Sequence, residues 1–318
     1  MIATYRHALP QRENRFFLTD GGLETTLIFE EKVDLPEFCA FSILGNKEGR
    51  ALLSKYLLSY AEIALRYDTP MILNTATWRA SRDWGKKLGF AEKDLAEANR
   101  EAVRLIEELR VHYDRPGKPL VIGGCIGPRG DGYIPDDSVT ARDSKEYHRE
   151  QIETFAQTAV DFITAMTLNE TPEAIGIVQA ARDAKMPVVL SFTLETDGKL
   201  PTGQSLSSAI EEVERSTNGY ASYYMINCVH PLHLQFTTQG SDPWVQRIRG
   251  LRPNASRMSH AELNGCNHLD NGNPEELAEQ YYRVKKDLLP RLNIMGGCCG
   301  TDPRHIEAIT RKCLPFFV

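Results

Sequence analysis

Seven cysteines lie at positions 39, 125, 228, 266, 298, 299 and 313, and two of them are adjacent. They sit in the stretch Arg-Leu-Asn-Ile-Met-Gly-Gly-Cys-Cys-Gly, residues 291–300, directly after an apolar run from Leu292 to Met295. Neighbouring thiols have two chemical uses. A vicinal disulfide closes a strained ring and belongs to oxidising compartments. As ligands, two neighbouring thiolates reach one ion only if the backbone turns sharply, and Gly296, Gly297 and Gly300 supply that freedom. Cys228, at the end of the apolar run Tyr-Tyr-Met-Ile-Asn-Cys-Val-His (223–230), offers a third sulfur. Three soft thiolates with one open tetrahedral position describe a catalytic rather than a structural site, and Zn2+ is its natural occupant. The short CxxC spacing of zinc fingers is absent. A cysteine taken singly is more often a small core residue, and Cys39, Cys125, Cys266 and Cys313 read that way.

The donor set constrains the reaction. Zinc on three thiolates carries a formal charge of about −1 and is a weak Lewis acid towards water. Its open position suits a substrate thiol, which it binds as the thiolate. Attack by that sulfur on an electrophilic carbon is the expected chemistry. Hydrolysis is less natural, because the His and carboxylate ligand sets of zinc hydrolases are not visible.

Something must bring Cys228 to Cys298 across seventy residues. Apolar, β-rich runs recur at 16–22, 71–77, 120–127, 162–167, 188–193, 223–230, more weakly at 256–263, and at 292–297. Continuous apolar runs of this length suit parallel strands buried on both faces. Helical spacing fills the gaps, as in Leu53, Leu57, Tyr60 and Ala64, or Leu95, Ala98, Ala102, Leu105 and Leu109. Ser208 with Glu211 reads as a capping box, and Asn273-Pro274 and Asp302-Pro303 read as helix starts. Eight strands alternating with helices over about 300 residues predict an α/β fold of the (β/α)8 TIM-barrel type. An open doubly wound sheet is the rival, but no GxGxxG follows the first strand. The expected organisation is a single barrel domain over 1–318, with 1–13 as an N-terminal extension. In such a barrel the strands' C-terminal ends form the active face, where Cys228, Cys298 and Cys299 would meet.

Charge narrows the partners. Lys and Arg total 37 against 43 Asp and Glu, a net charge of −6 with no basic block, so nucleic acid is not an expected partner. There is no signal-peptide h-region and no apolar stretch approaching the ~18–20 residues of a membrane span. A cytoplasmic protein without membrane contact is expected; a homo-oligomer is compatible with the sequence.

Three motifs in order, Asp-Gly-Gly at 20–22, Asn-Cys at 227–228 and Gly-Gly-Cys-Cys-Gly at 296–300, closely resemble the homocysteine S-methyltransferase family. Gly-Pro-Arg-Gly-Asp-Gly-Tyr (127–133) and Ser-Phe-Thr (191–193) also look like family segments, and the likeness runs from about residue 14 to the C-terminus. The resemblance implies a (β/α)8 barrel, zinc on Cys228, Cys298 and Cys299, and homocysteine thiolate as the nucleophile attacking a sulfonium or betaine-type methyl donor to give methionine. Methyltetrahydrofolate is not the expected donor, since the chain ends after one barrel. The resemblance places Asp20, Gly21 and Gly22 at the floor of the homocysteine pocket, although the glycines are also natural turn-formers. Thr75 and Asn227 are strand-end candidates for the same pocket. His230 and His260 are candidates for a fourth ligand or a proton acceptor.

Two departures stand out. Where the family carries a Glu that holds the homocysteine amino group, this chain aligns Met166, with Glu170 four residues on. After the second strand it has Trp78-Arg79, whose guanidinium suits a substrate carboxylate or an ion pair with Asp83. They leave two alternatives: the same chemistry on a thiol lacking the amino group, or a zinc- and thiol-binding protein without turnover.

Overall fold

The computed structural model describes residues 3–136, 138–234, 241–266 and 268–317. In chain order the elements are β1 (Phe17–Leu18), α1 (Leu23–Thr25), α2 (Lys47–Arg66), β2 (Met71–Asn74), α3 (Arg82–Lys87), α4 (Glu92–Tyr113), β3 (Leu120–Ile126) and α5 (Ala141–Ala156). They continue as β4 (Phe162–Leu168), α6 (Thr171–Asp183), β5 (Val188–Thr193), α7 (Leu206–Thr217), β6 (Tyr223–Asn227), β7 (Ile248–Arg252), α8 (His260–Asn264), α9 (Pro274–Arg283), β8 (Ile294–Met295) and α10 (Pro303–Cys313). The eight strands pair in parallel, each with its sequence neighbours, and β8 closes onto β1. This is the expected (β/α)8 barrel.

Burial follows from that closure. Phe17, Ile72, Val121, Phe162, Val189, Tyr223, Met225 and Ile294 fill the barrel interior, one or two from nearly every strand. The larger outer core lies between strands and helices, where α2 buries Leu53, Leu57, Tyr60 and Ala64 and α4 buries Leu95, Ala102, Leu105 and Leu109. Asn273 and Asp302 cap α9 and α10 with proline next in line, as their sequence signals indicate. The cap of α7 differs: Ser205, not Ser208, accepts the first-turn N–H, and Ser208 and Glu211 lie inside the helix.

The N-terminal extension is part of the barrel floor. Leu9 joins the interior cluster, and Arg6 donates to the carbonyls of Ala156, Thr158 and Val160 at 2.7–2.9 Å. Asn293 of the β8 approach donates to the carbonyls of Gln11, Glu13 and Arg15.

The seventh strand is a correction. It is Ile248-Arg-Gly-Leu-Arg252, whereas the expected stretch 256–263 is a loop as far as Ser259 and then part of α8, which Ser259 and Glu262 cap. Two arginines and a glycine interrupt its apolar pattern. Gly250 is required because a Cβ there would lie 2.6 Å from the Met225 side chain on β6. Arg252 is tolerated inside because it has an internal counter-charge, which no local pattern reveals.

Candidate active site and metal centre

Register places the three cysteines together. Asn227 pairs with Arg252 across β6 and β7, and Leu251 pairs with Met295 across β7 and β8, so three adjacent strands end side by side. Beyond the strands the backbone keeps pairing: Cys298 N–H donates to Pro253 O at 2.7 Å, and Ala255 N–H donates to Cys299 O at 3.0 Å. Gly300 follows at φ +76°, a conformation that costs a side-chain-bearing residue about 1–2 kcal/mol, and its N–H reaches Thr25 Oγ1 at 3.1 Å. Cys228 itself holds φ 56°, with its N–H on Arg252 O at 3.0 Å. A cysteine in this left-handed region is a strained position that the surrounding structure must hold.

The three Sγ atoms lie within 4.8 Å of one another. A tetrahedral ion with sulfur ligands at ~2.3 Å needs sulfur–sulfur separations of about 3.8 Å, so small side-chain adjustments suffice. Donors converge on Cys228: the S–H groups of Cys298 and Cys299, the Tyr133 hydroxyl, and Asn227 Nδ2 at 3.1 Å. These hydrogen bonds hold the Cys228 thiol well below its usual range. Cys298 is pushed up to about 12 and Cys299 upward too, chiefly because each shares its proton with Cys228. Three thiols facing one point fit a soft divalent ion that displaces their protons.

Behind the cysteines stands Arg252. It pairs with Asp20 at 2.8 Å and donates to Gly297 O at 2.9 Å and Gly21 O at 3.0 Å. Tyr56 donates to the other Asp20 oxygen at 3.1 Å. Burial would weaken the guanidinium's charge, but Asp20 holds its pKa above the ordinary value. One buried cation thus ties the Asp-Gly-Gly turn after β1 to the Gly-Gly-Cys-Cys turn after β8. Gly22 permits the contact: a Cβ there would sit 2.6 Å from Cys298 O.

The residues singled out in the sequence divide into two groups. Asp20, Gly21 and Gly22 adjoin the cysteines. Asn227 is wholly buried and braces the site, accepting from Ser191 Oγ at 2.6 Å and Thr167 N–H at 3.1 Å and donating to Thr167 Oγ1 at 2.9 Å. Thr75 accepts from Cys125 N–H at 2.9 Å and so holds β2 to β3. Arg79 lies 3.8 Å from the Trp84 ring centroid and 4.7 Å from that of Trp78, and donates to Glu37 O at 2.5 Å. Asp83 instead pairs with Arg129 at 2.9 Å. Met166 is buried before a bulge in β4, where Thr167 adopts φ 64°, and its carbonyl accepts from Trp78 Nε1 at 3.2 Å. Glu170 caps α6 and lines a cleft with Val139, Thr202 and Gln204.

Neither histidine belongs to the sulfur cluster. His230 Nδ1 accepts from Leu232 N–H, and burial lowers its pKa to about 4. His260 has Nε2 at 2.5 Å from Cys228 O and Nδ1 at 3.1 Å from Glu195. Its ring lies against that of Tyr133, with centroids 4.0 Å apart. Sequence reasoning missed Arg252 and Tyr133 as neighbours of the cysteines. The Gly-Asp-Gly-Tyr segment was the available signal for Tyr133; Arg252 carried none.

A closed (β/α)8 barrel with three convergent thiols on its C-terminal face defines a candidate metal-dependent transferase with a sulfur substrate. The homocysteine S-methyltransferase model matches residues 17–313. The chain belongs to the homocysteine S-methyltransferase family, a family of methyltransferase enzymes. It is 23% identical to homocysteine S-methyltransferase 1 of Arabidopsis thaliana over 92% of each chain. It is 24% identical to a selenocysteine Se-methyltransferase of Brassica oleracea, over 93% of this chain and 88% of that one. Among solved structures, the fold is similar to the Escherichia coli homocysteine methyltransferase MmuM. Its oxidised form has a TM-score of 0.74 at 18% identity, covering 97% of this chain and 99% of that one. Its metallated form has a TM-score of 0.70 at 18% identity, covering 97% and 100%.

Proposed function

We propose that the enzyme transfers a methyl group from a sulfonium or betaine-type donor to the thiol of homocysteine, with Zn2+ held by Cys228, Cys298 and Cys299. The single observation carrying this reading is the approach of three thiols from two distant segments to within 4.8 Å of one another. Zinc on three thiolates supplies a soft Lewis acid with one open position for the acceptor sulfur, lowering that thiol's pKa while leaving it nucleophilic.

The chain's own residues do the rest. Arg252 fixes the spacing between the turn at 20–22 and the cysteine turn, so the acceptor enters a preformed slot. Asp20, Gly21 and Gly22 form the floor of that slot, and the glycines let their turn pack closely on Thr301 and Cys298. Asn227 and Tyr133 donate to Cys228 and hold its sulfur in one rotamer. No general acid is required, because a sulfonium or quaternary ammonium donor leaves as a neutral group. In this reading one barrel suffices, working in the cytoplasm on small molecules.

A second reading, an acceptor without an amino group, is favoured by Met166, whose thioether cannot neutralise an ammonium. Metal analysis of wild type beside Cys298→Ser tests the zinc assignment. About one zinc per chain is expected in the first and strongly reduced occupancy in the second, since serine is a poor ligand for soft zinc. Methylation of homocysteine by S-methylmethionine or betaine tests the reaction. Unchanged zinc content, or no methyl transfer by the zinc-loaded enzyme from either donor, refutes the corresponding part.

A further inference from the structure

We infer that Glu24, on the turn after β1, holds the cationic nitrogen of the thiol acceptor and sets the preference for aminothiols. The inference rests on the reading of the sulfur cluster as the acceptor site. Glu24 is the second residue of α1, which starts immediately after Gly22. On either side of it this turn is docked against the cysteines: Gly22 packs on Cys298 O, and Thr25 Oγ1 accepts from Gly300 N–H. Glu24 is therefore carried next to the Cys298 turn on the barrel's C-terminal face.

The groups whose charge acts on it, Cys298, Asp20 and Arg252, come from the ends of β8, β1 and β7. It acts in turn on Cys125 of β3 and on Arg79 beyond β2. Its charge is thus felt at the ends of five neighbouring strands, β7, β8, β1, β2 and β3. Protein surrounds the side chain, yet the residue keeps intermediate exposure, as Cys298 and Cys299 do. That partial exposure leaves the residue open to a ligand.

Its charge has no resident counter-ion. Among the described residues no Lys, Arg or His nitrogen pairs with Glu24, and its hydrogen-bond donor is its own backbone N–H. Arg252, the nearest cation, is committed to Asp20 and two carbonyls. A carboxylate kept among protein atoms without a cation partner is costly. An incoming ammonium removes that cost. In homocysteine three carbons separate sulfur from nitrogen, so a sulfur directed at the cluster leaves the ammonium in the neighbourhood of this turn. Met166, neutral and buried, then has no electrostatic task.

The test is calorimetric titration of zinc-loaded full-length protein, without donor, using L-homocysteine, 3-aminopropane-1-thiol and 4-mercaptobutyrate. Wild type should bind the two aminothiols more tightly than 4-mercaptobutyrate. Glu24→Gln should weaken both aminothiols by roughly 30-fold or more, the size expected for removing one partner of a desolvated ion pair, with zinc content unchanged and 4-mercaptobutyrate binding within about threefold of wild type. Glu24→Asp, which keeps the charge on a shorter arm, should recover part of the loss. Equal weakening of all three thiols, wild-type binding that ignores the amino group, or no thiol binding at all overturns the assignment. If the aminothiol pattern holds but no methyl transfer is found, the reaction proposed above fails and the role of Glu24 stands.

Discussion

Replacing Arg252 with methionine removes one buried charge and keeps much of the side chain's bulk. The wild-type guanidinium is almost fully enclosed and makes three contacts of 2.8–3.0 Å, to Asp20, Gly297 O and Gly21 O. The variant leaves Asp20 buried with only the Tyr56 hydroxyl as donor. Stranding one member of a buried pair costs about 3–5 kcal/mol. Each lost hydrogen bond from a charged donor is worth about 1.5–3 kcal/mol on its own, but all belong to one group and are not added to the first figure. The expected loss is therefore about 3–5 kcal/mol in urea unfolding. Because Gly297 precedes Cys298, zinc affinity measured by competition with a chromophoric chelator should fall as well. The decisive assay is the double-mutant cycle with Asp20→Asn, where a coupling of at least about 2 kcal/mol is expected for residues in direct contact. Single-variant effects that add to within about 0.5 kcal/mol would show the two charges to be independent, and the account of the clamp would fall.

Two further outcomes follow from other contacts. Gly22→Ala places a methyl 2.6 Å from Cys298 O and 2.5 Å from Thr25 Oγ1. Overpacking of this kind costs about 1–3 kcal/mol, and zinc affinity should drop with it; a variant with wild-type zinc affinity would show that the two turns are not in contact. Lys285 lies buried with its ammonium on Pro290 O at 2.6 Å, and burial lowers its pKa to about 8. The unfolded chain keeps that proton to about pH 10.4, so between 8 and 10 unfolding takes up a proton and wild-type stability rises with pH, by at most about 3 kcal/mol. Lys285→Met should abolish that rise and be more stable at pH 7; parallel stability curves for the two proteins would refute it.

The barrel is legible in the sequence because closure demands eight strands buried on both faces, and seven of the eight betray themselves as apolar runs. The exception is instructive. β7 carries Arg249 and Arg252 in five residues, and Arg252 is acceptable inside only because Asp20, more than two hundred residues away, supplies its counter-charge. Such a pair exists only after folding. The cysteines were legible for the opposite reason: adjacency among glycines is rare enough to need an explanation. Asn227 and Thr75 illustrate a middle case, polar strand-end residues whose type suits a pocket and a brace equally. Their hydrogen bonds show them bracing neighbouring strands, which only three-dimensional placement could reveal. Tyr133 sits on a loop and Glu24 on the three-residue helix α1, segments too short or irregular for periodicity to single out either side chain.

The cysteine turn is best understood as sheet pairing carried past the barrel's edge. Leu251 pairs with Met295, then Pro253 O takes Cys298 N–H, then Ala255 N–H reaches Cys299 O. Two adjacent thiols are held in orientation by the backbone of the neighbouring strand, so the entropy of ordering them is spent on folding and not on each substrate. On the proposed reading, zinc on three thiolates gives the mouth a formal charge of about −1, beside Glu24 and an Arg252 whose charge Asp20 already offsets. Such a field attracts a cationic donor before contact. On the proposed reaction the donor gives up its positive charge with the methyl group, so the attraction that brought it in vanishes at the moment of transfer. The demethylated product then leaves a site that no longer favours it, and the chemistry itself supplies the bias towards release.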